Sequence, residues 1–176
     1  MASLQASLRA EASRGAEDLG ATIEQVNRLL YQATAQNRYA TFFYAQYDPA
    51  SRKLTYVNAG HNAPMLFKNS HSGGDVMRLE IGGIVVGLLE STPYEDAHVT
   101  LEEGDLLIAY TDGITESMNA AEEEWGEANL IQTVKQCMQL SSGEILRCIM
   151  QAADAFAGGA EQHDDMTLVV MKVTAR

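Results

Sequence analysis

Apolar residues along the first third of the chain recur at helical spacing. Leu19, Ile23, Val26 and Leu30 follow one another at steps of four, three and four, which places them on one face of a helix. Gly15 and Gly20 flank its start, so Met1–Arg14 reads as a separate, shorter helix. The pattern then changes. Tyr39–Tyr47 and Leu54–Val57 are rich in aromatic and β-branched residues, and the turn-forming run Asp48-Pro-Ala-Ser-Arg52 between them predicts a hairpin. Further strands are expected over Met65–Lys68, Val76–Ile81, Ala97–Leu101, Asp105–Thr111 and Met166–Val173, with Gly82-Gly83 and Pro93 marking loops. Two more helices precede the last strand. One carries Leu130, Val134 and Cys137; the other carries Ile145, Ile149, Ala152 and Phe156 and ends at Gly158-Gly159. Helices (1–34), mainly antiparallel strands (39–112), helices (126–157) and one last strand (166–173) give an α+β layering over a single domain, not alternating βαβ units.

Composition narrows the class. The 176 residues are 46% hydrophobic and 20% charged, an ordinary globular balance, and such a chain buries roughly 70% of its unfolded surface. A net charge of −12 argues against a nucleic-acid backbone or an anionic membrane as partner, although it suits divalent cations. Cys137 and Cys148 have neither metal-ligand spacing nor a disulfide framework around them, which points to a reducing cytoplasm. No apolar run reaches membrane-spanning length, and Met1–Ala10 is too polar for a signal peptide.

Three segments carry candidate chemistry. Asp105-Leu-Leu-Ile-Ala-Tyr-Thr-Asp112-Gly113 is a buried-looking strand ending in an aspartate. His163-Asp164-Asp165-Met166-Thr167 sets acidic residues just before the final strand, and Asn58-Ala-Gly-His61-Asn62 closes the hairpin's second strand. Carboxylates at neighbouring strand ends can share a hard cation, and oxygen ligands suit magnesium or manganese. Plainer readings stand beside these. Asp112-Gly113 also fits a simple turn, and Asp164-Asp165 a loop end. His61 fits a turn or packing histidine, and Glu122–Glu124 a solvated run or the first turn of a helix.

Taken in order, Val57-Asn-Ala-Gly-His-Asn-Ala-Pro64, Gly82-Gly-Ile-Val-Val-Gly-Leu88, Leu101-Glu-Glu-Gly-Asp-Leu-Leu-Ile-Ala-Tyr-Thr-Asp-Gly-Ile-Thr-Glu116 and Asp164-Asp-Met-Thr-Leu-Val-Val170 resemble the SpoIIE/RsbU-type domains. These belong to the metal-dependent, protein phosphatase 2C-like Ser/Thr phosphatase superfamily. The resemblance implies a four-layer α/β/β/α sandwich with a pair of Mn2+ or Mg2+ ions. It implies hydrolysis of phosphoserine or phosphothreonine by metal-activated water, with no phosphoenzyme. The implied substrate is a phosphorylated regulatory protein of the anti-sigma-factor-antagonist class in a partner-switching pathway. Asp112 and Asp164 match the family's catalytic metal ligands, and Asp165 is a third, weaker match.

The chain also departs from the family pattern. The family's Gly-Asp-x-x-Asp motif, which supplies the aspartate bridging both metals, is absent, as is Asp-Val-Ser-Gly-(His/Lys)-Gly. Ile84-Val85-Val86 lacks a proline common in that loop. Met1–Ala10 resembles the middle of the family's first helix, so the domain is expected to be incomplete on its N-terminal side. Weak metal binding and weak or no hydrolysis follow. An alternative is a non-catalytic docking or dimerisation module that keeps the fold. Strands carrying Phe42, Tyr44 and Val57, left bare by the missing layers, predict a homodimer; the alternative is that Met1–Leu30 folds back and caps them within one chain.

Overall fold

The computed structural model describes residues 18–34, 38–69, 76–160, 162 and 164–174. The helix expected over Met1–Arg14, and His163, lie outside the described residues. The chain divides into two compact units. One holds the described residues up to Ala63 together with Leu79–Leu101; the other holds Pro64–Arg78 and the residues from Glu102 onward.

In the first unit, α1 (Leu19–Ala33) begins at Asp18, whose side chain accepts the Ala21 amide at 2.9 Å and satisfies a donor that the first helical turn leaves free. Leu19, Ile23 and Val26 form its buried face, as their spacing predicts. The hairpin pairs β1 (Phe42–Asp48) with β2 (Lys53–Ala59), and Asp48 Oδ1 accepts the Ala50 amide inside the turn. On its other side β2 carries β6 (Ala97–Thr100) antiparallel against Lys53–Tyr56 and β5 (Gly82–Gly83) parallel against Asn58–Ala59. The glycine pair expected as a loop is therefore a short strand. A Cβ on Gly82 would stand 1.9 Å from the Asn58 carbonyl oxygen, so only glycine brings the two backbones this close. Leu19 and Ile23 pack with Val57, Ala59, Val86 and Tyr94, while Phe42 and Tyr44 are half-buried at the margin. Helix α1 thus covers the strand face that the sequence suggests is bare.

The second unit contains an antiparallel sheet ordered β4-β3-β7-β8, built from β3 (Met65–Phe67), β4 (Val76–Arg78), β7 (Leu106–Tyr110) and β8 (Leu168–Lys172). The strand expected over Val76–Ile81 is shorter, because only Val76, Met77 and Arg78 find partners on β3. A single helical turn, α2 (Asp112–Thr115), follows β7; it is too short to leave a periodic signal in the sequence. Helices α3 (Gly126–Cys137) and α4 (Ser142–Ala157) then cover one sheet face. Alternate residues Leu106, Ile108 and Tyr110 meet Leu130, Val134, Ile145 and Ile149 there, each apolar side chain stabilising the fold by roughly 1.5–3 kcal/mol when fully buried. Helix α4 starts with a capping box in which Ser141 and Glu144 satisfy each other's backbone amides, and it ends at Gly158, left-handed at φ 60°. Glu122–Glu124 precede α3 in a turn organised by Asn119, and so do not form the helix's first turn. Among the described residues no helix is long and apolar enough to cross a membrane.

Candidate functional site

Strands β7 and β8 pair antiparallel with Tyr110 opposite Leu168. The residues leaving β7 therefore lie beside those entering β8, and both acidic segments fall at one end of the sheet. Thr111 joins them. Its hydroxyl donates to the Asp165 carbonyl at 2.8 Å and accepts the Thr167 amide at 2.9 Å, while its own amide donates to the Thr167 carbonyl at 3.1 Å. Gly113 brings the two segments into backbone contact, since a Cβ there would meet the Asp165 carbonyl oxygen at 2.8 Å.

Each turn also holds its own aspartate. Asp112 opens α2, its carboxylate accepting the Gly113 amide at 3.1 Å and its carbonyl the Glu116 amide at 2.8 Å. Asp164 accepts the Asp165 amide at 2.7 Å, and Gln162 Nε2 reaches the Asp164 carbonyl at 2.7 Å. Asp112, Asp164 and Asp165 are all exposed, so these carboxylates face solvent and not the apolar core.

A network from buried Tyr110 out to an exposed ion pair ties down the end of β7. The Tyr110 hydroxyl donates to Glu127 Oε1 at 2.6 Å, and Arg78 on β4 pairs with Glu127 Oε2 at 2.6 Å. Burial, reinforced by the bond to Glu127, pushes the Tyr110 phenol well above its ordinary range. The Arg78 guanidinium, then the Tyr110 hydroxyl, holds the Glu127 carboxyl below the usual carboxylate value. At the opposite end of β7, Asp105 is buried and saturated by Lys68 Nζ at 2.7 Å and the Asn69 and Glu102 amides at 2.9 Å each. Asp105 is thus an anchor of the strand and not part of the exposed acidic end.

The Asn58–His61 segment, in the first unit, is built as a turn. Buried Asn58 accepts the His61 amide at 2.8 Å and donates to the His61 and Leu79 carbonyls at 3.0 and 3.1 Å. His61 itself is half-buried, with Nδ1 3.4 Å from the Thr41 hydroxyl. Thr111, Thr167, Tyr110 and Glu127 are the site residues that sequence reasoning passed over. The threonines in Tyr-Thr-Asp-Gly and Asp-Asp-Met-Thr were the available signal, because a strand-end hydroxyl can bridge to a neighbouring turn.

Exposed carboxylates at adjoining turns suit a hard divalent cation in kind. They fall short in number: among the described residues no group of three or more His, Cys, Asp or Glu side chains gathers closely enough to hold a metal ion.

This fold is that of PP2C-type domains. The SiaA-PP2C domain of Pseudomonas aeruginosa matches with a TM-score of 0.77 at 17% identity, over 97% of this chain and 66% of that one. RsbX in complex with magnesium shares the fold at a TM-score of 0.62 and 20% identity, over 96% of this chain and 70% of that one. The catalytic domain of the serine threonine protein phosphatase PstP in complex with two manganese ions does so at 0.65 and 13%, over 98% and 81%. Within that class the chain belongs to the SpoIIE family: the family model for Stage II sporulation protein E (SpoIIE) matches residues 1–174.

Relatives at the sequence level include Protein IcfG of Synechocystis sp., 31% identical over 133 residues, which are 76% of this chain and 20% of IcfG. Phosphoserine phosphatase RsbU of Bacillus subtilis is 27% identical over 151 residues, 85% of this chain and 44% of RsbU. The chain spans less than half the length of either relative.

Proposed function

We propose that this chain is part of a phosphoserine/phosphothreonine phosphatase domain acting in the cytoplasm on a phosphorylated regulatory protein of the anti-sigma-factor-antagonist class. Asp112 and Asp164, with Asp165 beside them, contribute carboxylates to a manganese or magnesium site. The observation that carries this reading is the bridge through Thr111, which sets the two acidic turns side by side at one end of the sheet. Membership of the SpoIIE family and similarity to RsbU support the reaction class.

The family's Gly-Asp-x-x-Asp motif has no counterpart in this sequence. Two or three carboxylates hold a divalent ion weakly, and hydrolysis by the isolated chain should lie far below that of an intact phosphatase domain. Calorimetric titration with Mn2+, alongside release of nitrophenol from p-nitrophenyl phosphate, tests the assignment. Weak binding that Asp112→Asn and Asp164→Asn each abolish is the expected result. Binding unchanged in both variants would overturn it.

One observation favours a second reading, a docking or dimerisation module without catalysis: the described residues gather no three-ligand group. Full hydrolysis with Mn2+ that Asp112→Asn removes would exclude it.

A further inference from the structure

A cleft of about 440 Å3 opens beside the two acidic turns, within the second unit. Gly113 and Asp164 belong to its wall, so its contents would lie next to the candidate carboxylates. Ala153 and Ala157 on the last turns of α4 leave the space open by their small size. Met118 and Met166 add flexible apolar walls that adapt to what enters. Glu116 and Asp154, both exposed, join Asp164 in setting negative charge around this apolar interior, and none of the described lining residues is basic.

That combination selects its occupant. An anion is repelled by the carboxylates, and a purely apolar side chain leaves them without a counter-charge. The side chain of arginine or lysine matches both features: its aliphatic stem lies on apolar surface while the cationic head reaches the carboxylates. The volume is near the small end for ligand pockets and suits one or two side chains, not a docked helix. We infer that the cleft takes a lysine or arginine side chain of the phosphoprotein, from the segment flanking the phosphorylated residue. This rests on reading the two acidic turns as a phosphatase site, and it gives that site a preference for basic sequence.

Fluorescence anisotropy of the full chain, in EDTA and at low salt, tests the inference without calling on catalysis. The probes are short labelled, unphosphorylated peptides, Ala-Leu-Xaa-Ser-Leu-Ala, differing only in whether Xaa is arginine, norleucine or glutamate. The arginine peptide should bind about fivefold tighter than the norleucine peptide, the glutamate peptide weakest. Asp154→Lys should erase that advantage, whereas Glu122→Lys, the same charge change at an exposed turn outside the cleft, should leave it. Equal losses in the two variants would reduce the effect to bulk charge and overturn the inference, as would an undiminished arginine preference in Asp154→Lys. The phosphatase reading is tested separately, by Mn2+ binding and its loss in Asp112→Asn. An arginine preference with Mn2+ binding unchanged in Asp112→Asn sinks that reading alone; Mn2+ binding that Asp112→Asn abolishes, without the arginine preference, sinks this inference alone.

Discussion

The Thr111 hydroxyl donates to the Asp165 carbonyl and accepts the Thr167 amide, so one side chain serves both acidic turns. Thr111→Val keeps the branched shape and removes both bonds. At this half-buried position the change should cost about 1 kcal/mol of stability in urea unfolding and weaken Mn2+ binding more than tenfold, while Thr111→Ser restores both. Full Mn2+ affinity in the valine variant would show that the strands alone align the turns. Tyr110 and Glu127 yield a pH prediction. Glu127 is held below its ordinary value by Arg78 and then by Tyr110, so its contribution is present above the unfolded carboxylate value and is lost as pH falls through the lower folded one. Tyr110 is raised by burial and then by Glu127, so its contribution is present below the unfolded phenol value and is lost at high pH. The stability difference between the wild type and Tyr110→Phe should therefore be flat near neutrality and shrink in acid below the ordinary carboxylate range. A difference independent of pH down to full carboxylate protonation would count against the Glu127 bond. The sequence displays Asp112 and Asp164 as letters in short motifs, but not this support. Thr111 and its partners are more than fifty residues apart, and Arg78, Tyr110 and Glu127 meet only once β3 has set the register between β4 and β7.

Among the elements, those whose signal is local were legible. Helices α1 and α4 show apolar spacing over three or more turns together with cap residues, and the β1–β2 hairpin is marked by the Asp48 turn. Elements fixed by distant partners were not. Gly82–Gly83 reads as a break until Asn58 lies against it, and Val76–Ile81 stops pairing after Arg78 because β3 is only three residues long. Helix α2 is one turn, set by the path from β7 into the acidic end and not by periodicity. Gly113 in that turn gives an element-scale test. In Gly113→Ala the new methyl meets the Asp165 carbonyl oxygen at 2.8 Å, so one of the two segments must move. Destabilisation of roughly 1–3 kcal/mol in thermal or urea unfolding is expected, with Mn2+ binding lost even where the protein remains folded. Ser141→Ala, at the capping box of α4, should cost a similar ~1 kcal/mol while leaving Mn2+ binding intact. The pair separates loss of fold from loss of the turns, and equal effects on ion binding would mean that both act through global stability.

For the molecule as a whole, self-association must rest on different ground from that suggested by the sequence. Val57 is fully buried and packs with Leu19 and Ile23, and Phe42 and Tyr44 are half-buried, so helix α1 of the same chain covers the face expected to need a partner. A sheet edge remains. Among the described residues β8 pairs only with β7, and Val169, opposite Ala109, is 57% exposed. An edge strand presents unpaired amides and carbonyls to another chain, and an exposed β-branched residue does nothing to discourage pairing. Opposing this, a net charge of −12 on each copy makes like chains repel over about 10 Å at 0.1 M salt. A symmetric dimer joined through β8 should therefore strengthen as salt rises, opposite to the salt dependence of an interface held by ion pairs. Light scattering at tens of micromolar protein should show mass rising from monomer toward dimer between low and moderate salt. Val169→Lys, which places a charge on that edge, should hold the chain monomeric throughout. A monomer at every salt concentration would mean that the edge is blocked, and a dimer unaffected by Val169→Lys would place the interface elsewhere.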